Sequence, residues 1–351
     1  MEESAIQKLM VSIDSVAHYL ANAISGLRAL LSNRVRKAIE SNVIFILNGG
    51  EKLRGIVVGI DGSSNVVASI DPMYVFAVLV TRVTLNTVSN SLTVEYPFSI
   101  ISIVSDPSGN MYRDVINDVM LICETLALDT ALHRDLIVID GPIIDPPRNV
   151  HTLSIDLARR VLGINLDDYH EWRARIIRRI VETGAMVIGV VKRLRGGEAL
   201  RQLIGLDSIC NEELLASMLL NEARKELGCY DCTIVTKPVE LNHSLVSAYK
   251  RHGIGVSVSY IMFRGCSKAV RVEIAHRCNS KSENSLIQVL KLLDSLTPYG
   301  TCVPLPISLA HEKCRLNRNI VALLRKSIST KLINVTGTDG LSIVDLLGEH
   351  S

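Results

Sequence analysis

Aromatic side chains are scarce, at 4% of 351 residues with four Phe and a single Trp. Stacking on base rings therefore cannot dominate any grip on nucleic acid. An excess of one charge is also missing: 38 Lys and Arg stand against 36 Asp and Glu, a net +2. Any contact with a polyanion must then come from local clusters, because the overall charge gives no general attraction. No apolar run approaches the roughly 18 residues that a membrane helix needs. The opening MEESAIQK lacks the basic, apolar and small-residue succession of a secretory leader. The expectation is a soluble, cytoplasmic protein with no membrane association. There is no GxSxG and no HExxH, which removes the nucleophile elbow and the HExxH metalloprotease site. Repeats and low-complexity segments are absent as well.

The eight cysteines supply one CxxC, Cys229 and Cys232, with Cys123, Cys210, Cys266, Cys278, Cys302 and Cys314 scattered. A structural zinc needs a second pair at suitable spacing, and none presents itself. Buried free thiols are the default, with intrachain disulfides as the alternative in a hyperthermophile.

What is abundant is aliphatic. At 48% hydrophobic the chain can bury a substantial core, as one large domain or two small ones. Within it, three acids interrupt apolar segments. Asp61 follows the strand-like GIVVGIDGSS, Glu124 lies in the helix-like VMLICETLALDTAL, and Asp140 ends DLIVIDGPI. Two more strand-like runs, from Met73 and from Leu92, fall between the first two acids. The order is β-β-β-α-β, with an acid on the first strand, the first helix and the fourth strand.

Glu124 is the most demanding of the three. The helix expected from Tyr112 to His133 is apolar on most sides, so it should be buried. An unpaired carboxylate there costs several kcal/mol or more, so a cation should lie opposite it. A buried Glu–Arg pair would satisfy that demand with no functional role. Asp-Gly after a strand is also a common turn, and Asp-Gly-Pro a common stop. Taken jointly, however, two acids at strand ends and one on the connecting helix suit a cleft of hard oxygen ligands. Such a cleft favours Mn²⁺ or Mg²⁺ over Zn²⁺. The matching chemistry is phosphoryl transfer, in which two ions activate a water and stabilise the leaving oxygen.

The IDGS strand, the ET helix, the VIDGP strand, the later VIGVVKR strand and the segment VPLPISLAHEKC together resemble NurA, the archaeal family of DNA-end nucleases. The resemblance spans roughly residues 55 to 315. It implies a mixed α/β, ribonuclease H-like core in which Asp61, Glu124 and Asp140 are metal ligands. Lys192 would lie near the scissile phosphate, and His311 would complete the metal site from a late helix. It further implies a Mn²⁺-dependent 5′ to 3′ exonuclease on single and double strands, with single-strand endonuclease activity. The same likeness implies a homodimer beneath a hexameric HerA-type ATPase, acting in DNA end resection and double-strand break repair. One position departs from the pattern: Val303-Pro304 stands where the family has Tyr-Pro. Either Tyr299 substitutes from just upstream or the aromatic is missing.

Two basic clusters accompany the acids. HEWRARIIRRIVE places Arg175, Arg178 and Arg179 on the outer face of an amphipathic helix, which is more readily a solvated surface than a DNA contact. Lys192, Arg193 and Arg195 follow the strand AMVIGVV and would reach the same edge as Asp61 and Asp140, or else snorkel there. His133 and His276 fit surface or core positions. Residues 1–48 read as a helical arm, with Ile6, Leu9, Met10 and Ile13 at helical spacing, ahead of a nuclease domain over 49–351. Later helices are expected near 150–163, 168–183, 197–227, 283–296 and 306–327, with a hairpin turning near Gly265. Two rivals remain. A phosphotransferase of the actin and sugar-kinase type would need glycine-rich phosphate loops, and only LNGGEK at 47–52 offers one. A non-catalytic adaptor of a DNA translocase would keep the acids for structure alone.

Overall fold

A computed structural model describes residues 2–49, 54–132, 134–192, 198–205, 211–241, 244–279 and 282–337. Helix α1 (Glu2–Glu40) opens the chain and is followed by strand β1 (Ile44–Ile46). The expected helical arm over residues 1–48 therefore fails at its end: β1 pairs antiparallel with β7 (Ile234–Thr236) and joins the main sheet. Three long antiparallel strands come next, β2 (Ile56–Ile70), β3 (Met73–Asn86) and β4 (Ser91–Ser105). Helix α2 (Tyr112–Asp129) leads to β5 (Leu136–Asp140), helices α3 (Thr152–Leu162) and α4 (Tyr169–Glu182), and strand β6 (Met186–Val191). The expected single helical stretch from 197 divides into α5 (Glu198–Ile204) and α6 (Glu212–Glu226). After β7 come β8 (Val239–Glu240), α7 (Val246–Arg251), and the hairpin β9 (Ile254–Met262) and β10 (Val270–Arg277). The chain closes with α8 (Glu283–Ser295), α9 (Leu305–Cys314) and α10 (Arg318–Thr336). The last two were expected as one helix. They part because Asn317 caps α10, its side chain accepting from the Ile320 amide at 3.0 Å.

The strands form one mixed sheet in the order β1-β7-β9-β10-β6-β5-β2-β3-β4, with β8 beside β9. β5 runs parallel to both β2 and β6, and its LIVID sequence is the continuous apolar run of a strand covered on both faces. One face is covered by α2, α4 and α7, which bury Val119, Cys123, Ile177 and Tyr249 against the strands. The other face is closed by α8 and α9 through Leu290, Leu293 and Ile307. A third cluster joins α6 to the end of α1 through Leu31, Val35, Leu215 and Leu219.

Two disulfides replace the default of free thiols at four cysteines, Cys229–Cys232 and Cys266–Cys302, with Cα atoms 5.8 and 5.7 Å apart. Cys123 and Cys314 are buried and free, and Cys278 is exposed and free. Cys210, His133, Arg193, Arg195 and residues 50–52 of the 47–52 glycine run lie outside the described residues.

Candidate active site

The parallel register of β2 and β5 sets Ile60 beside Ile139, so the next residues, Asp61 and Asp140, are neighbours. Asp61 is not at a strand end, as its sequence suggested. It sits within a 15-residue strand that continues as a hairpin with β3 after β5 has stopped at Asp140. The Asp-Gly pair is therefore no turn. Gly62 serves a different need: a Cβ there would lie 2.8 Å from Oε1 of Glu124 and 3.0 Å from Cγ of Met120. The missing side chain lets α2 press its carboxylate against the β2 backbone.

The other side of β2 receives α9. A Cβ on Gly59 would stand 2.5 Å from the carbonyl carbon and oxygen of Pro306, so only glycine permits this approach. Further along, the Ser63 hydroxyl donates to the Cys314 carbonyl. Held at both ends, α9 brings Nδ1 of His311 to 2.7 Å from Oδ2 of Asp61 and 3.3 Å from Oδ2 of Asp140. The imidazole thus links the two carboxylates while half of it stays open to solvent. Lys192, just past β6, forms an ion pair with Asp140. The Cys314 thiol donates to Asp61 at 3.3 Å.

Electrostatics bind the group together. Asp61 is 5% exposed and Glu124 2% exposed. Burial, and next the charge of Asp140, pushes the Asp61 carboxyl from its ordinary 3.8 up to about 6, against the lowering influence of Cys314 and His311. Glu124 is pushed well above the ordinary range by burial first and Asp61 second, with Asp145 and Asp140 adding and only Arg173 opposing. Acids that raise one another in this way hold more negative charge than the cations among them offset, and a divalent cation would relieve it.

The cation demanded by Glu124 is Arg173 of α4, 1% exposed. Its Nε donates to the Ile143 carbonyl at 2.9 Å and its Nη1 to Thr125 and Tyr169 at 2.7 and 3.0 Å. The guanidinium therefore sits under the acids on a fixed hydrogen-bond frame. Sequence reasoning passed over it in favour of Arg175, Arg178 and Arg179, which are exposed as expected. The signal was present, because residue 173 shares the apolar face of Tyr169, Ile176, Ile177 and Ile180. Asp145, facing the same guanidinium, and Cys314 were also missed.

Donor atoms of Asp61, His311 and Cys314 lie within 4.8 Å of one another. Burial and Asp61 push the Cys314 thiol far up, so without an ion it acts as a donor to the Asp61 carboxylate. The carboxylate oxygens and imidazole nitrogen beside it are a donor set that fits Mn²⁺ or Mg²⁺. Tyr299 is not brought to this group. It is 71% exposed, and its ring lies against Gly265 in the turn of the β9–β10 hairpin, three strands from β5. The Cys266–Cys302 disulfide and the Gly300 amide, which donates to the Arg264 carbonyl at 3.1 Å, hold the loop there. His276, on β10, shares a 2.9 Å hydrogen bond with Ser257.

Sheet, helices and acids define a mixed α/β protein, its sheet flanked by helices, with an acidic centre beside the end of β5. Comparison with known proteins narrows that class. The chain belongs to the NurA family, whose domain model matches residues 55–316. The crystal structure of the NurA nuclease from Sulfolobus solfataricus is similar over 93% of this chain and 98% of its own, at 19% identity and a TM-score of 0.63. A NurA structure bound to dAMP and manganese matches 87% of this chain and 93% of its own, at 11% identity and a TM-score of 0.55. Another NurA crystal structure covers 93% and 98% of the two chains at 11% identity and a TM-score of 0.57. No curated protein matches the chain. Among the described residues no helix is long and apolar enough to cross a membrane.

Proposed function

We propose that this protein is a divalent-metal-dependent DNA nuclease whose centre is Asp61, Glu124, Asp140 and His311, with Lys192 beside it. The observation that carries the proposal is the junction of three chain segments at His311, which spans Asp61 and Asp140 while Glu124 closes in across Gly62. A centre with this much mutually raised acid is poor as a purely structural element, since each carboxylate destabilises the next. The manganese and dAMP in a relative of the same fold support the choice of metal and substrate class.

Asp61, Glu124, Asp140 and His311 would hold Mn²⁺, or Mg²⁺, in a two-ion arrangement. Bound there, the ions lower the pKa of a water and stabilise the leaving oxygen of a phosphodiester. The protein's own contributions are positional. The charge of Arg173 offsets that of Glu124, and Lys192 offers a cation that can pass from Asp140 to a phosphate oxygen. The open half of His311 leaves the centre in reach of solvent water. By family likeness the activity is 5′ to 3′ exonucleolytic on single and double strands, with single-strand endonuclease activity. The same likeness suggests a homodimer; within each copy α1 would be the arm, and β1 belongs with the nuclease domain whose sheet it joins. A HerA-type hexameric ATPase would be its partner in end resection and break repair.

The test is Asp61→Ala, assayed on linear DNA with Mn²⁺. Degradation should fall to background while the circular dichroism spectrum stays that of the native protein. Retained degradation would remove Asp61 from the centre and the proposal with it.

A further inference from the structure

β2 outlasts its parallel neighbour. β5 pairs with it only as far as Ile60, so from Asp61 onward the β5-side edge of β2 carries no strand. Along that open edge, between the first turns of α2 and α10, runs a cleft of about 630 Å³. Its floor is Ser64, Asn65 and Val66, directly beyond the acids, and its walls carry Arg113, Arg318 and Arg325. Among the described residues no carboxylate lines it. The change of sign is abrupt: acids collect at residue 61, and three guanidinium groups begin three residues later.

Arg113 and Arg318 are exposed and have no carboxylate partner among the described residues. Two acids close in sequence to Arg113 are otherwise engaged. Asp106 accepts from the amides of Met111 and Tyr112 at 2.7 and 2.9 Å, and Asp114 faces Arg148 at 3.7 Å. Arg325 is anchored, its Nε donating to the Val67 carbonyl at 2.9 Å. Ser64 and Asn117, 2.8 Å apart, add hydroxyl and amide groups to the floor and wall. A groove with guanidinium forks, amides and no acid suits a chain of phosphodiesters better than a cation or an apolar ligand. From Asp61 to Val66 the strand advances about 17 Å, room for more than one consecutive backbone phosphate. α10 lies beyond the residues matched by the family model.

We propose that the cleft between β2, α2 and α10 is a subsite for a single DNA strand, whose backbone phosphates Arg113 and Arg318 hold as the strand enters or leaves the acidic centre. The assignment rests on the nuclease function proposed above, but binding can be read without cleavage. The probe is a fluorescein-labelled 12-nucleotide single strand, titrated in EDTA and followed by anisotropy between 50 and 200 mM salt. The double variant Arg113→Gln/Arg318→Gln should bind at least tenfold more weakly at the lower salt. Its slope of log K against log salt should be shallower by about 1.4, or about 0.7 per lost phosphate contact on a single strand. Arg113→Lys/Arg318→Lys should recover most of that slope, and all three proteins should melt at the same temperature. Unchanged affinity and slope in the glutamine variant would overturn the subsite. In parallel, Mn²⁺-dependent hydrolysis of thymidine 5′-(p-nitrophenyl phosphate), too small to reach the cleft, should be equal in all three. A wild type that binds DNA through these arginines but hydrolyses neither substrate would keep the subsite and defeat the nuclease assignment.

Discussion

Replacing Asp61 by Asn should make the metal-free protein more stable, and by an amount that depends on pH. Burial and the Asp140 charge raise this carboxyl from 3.8 to about 6. A folded-state pKa above the unfolded one means that the native protein retains a proton which the unfolded chain gives up. The associated stability is therefore complete below pH 3.8 and is lost as pH rises through 6. Between those limits, at about 1.4 kcal/mol per pH unit, the charged carboxylate comes to destabilise the fold by about 3 kcal/mol. Asn is close in size and its carbonyl still accepts from His311 and Cys314, so the variant removes the charge with little loss of contact. In EDTA the variant and wild type should match near pH 4. At pH 8 the variant should gain up to about 3 kcal/mol, about 4 °C in Tm for a chain of this length. Differential scanning fluorimetry across that range is the measurement. Adding Mn²⁺ at pH 8 should reverse the order, because only the wild type binds the ion and gains stability by mass action. A variant less stable than wild type at pH 8 in EDTA, or a difference that does not vary with pH, would refute the account of the centre as an uncompensated acidic cluster.

Gly59→Ala should wedge α9 away from β2, since the new methyl meets backbone atoms of Pro306 and Ile307 at 2.5 to 2.9 Å and neither can rotate aside. The expected loss is about 1–3 kcal/mol in chemical denaturation. The Mn²⁺-induced rise in Tm should also shrink as His311 withdraws, and an unaltered rise would show that α9 contributes nothing to metal binding. Arg173→Met should cost about 3–5 kcal/mol by leaving Glu124 and Asp145 without their shared cation. A loss under about 1 kcal/mol in urea would mean that the two carboxyls are protonated and need no partner.

The acids and their order were legible because each interrupts an apolar segment, and such interruptions stand out in an aliphatic sequence. The demand for a cation against Glu124 followed from the same physics. Its source, Arg173, did not emerge, because the neighbouring arginines on the outer face of α4 drew the reading outward. β1, β7 and β8 are two or three residues long, and pairing within the sheet, not local preference, makes them strands. His311 lies at a polar position in a helix of mixed pattern, and only the Gly59–Pro306 approach decides which way it faces. The cleft beside β2 was invisible for a related reason. Its arginines come from segments some 200 residues apart, and nothing in the spacing of either announces the other.

The bond between Asp61 and His311 joins residues 250 positions apart. On a ribosome the acids of β2, α2 and β5 all emerge before α9, and some 170 residues separate Asp140 from the histidine that meets it. A chain interrupted before α9 therefore carries all three acids without the imidazole that bridges two of them. Copies terminated in that interval hold the carboxylates of the centre and nothing to join them.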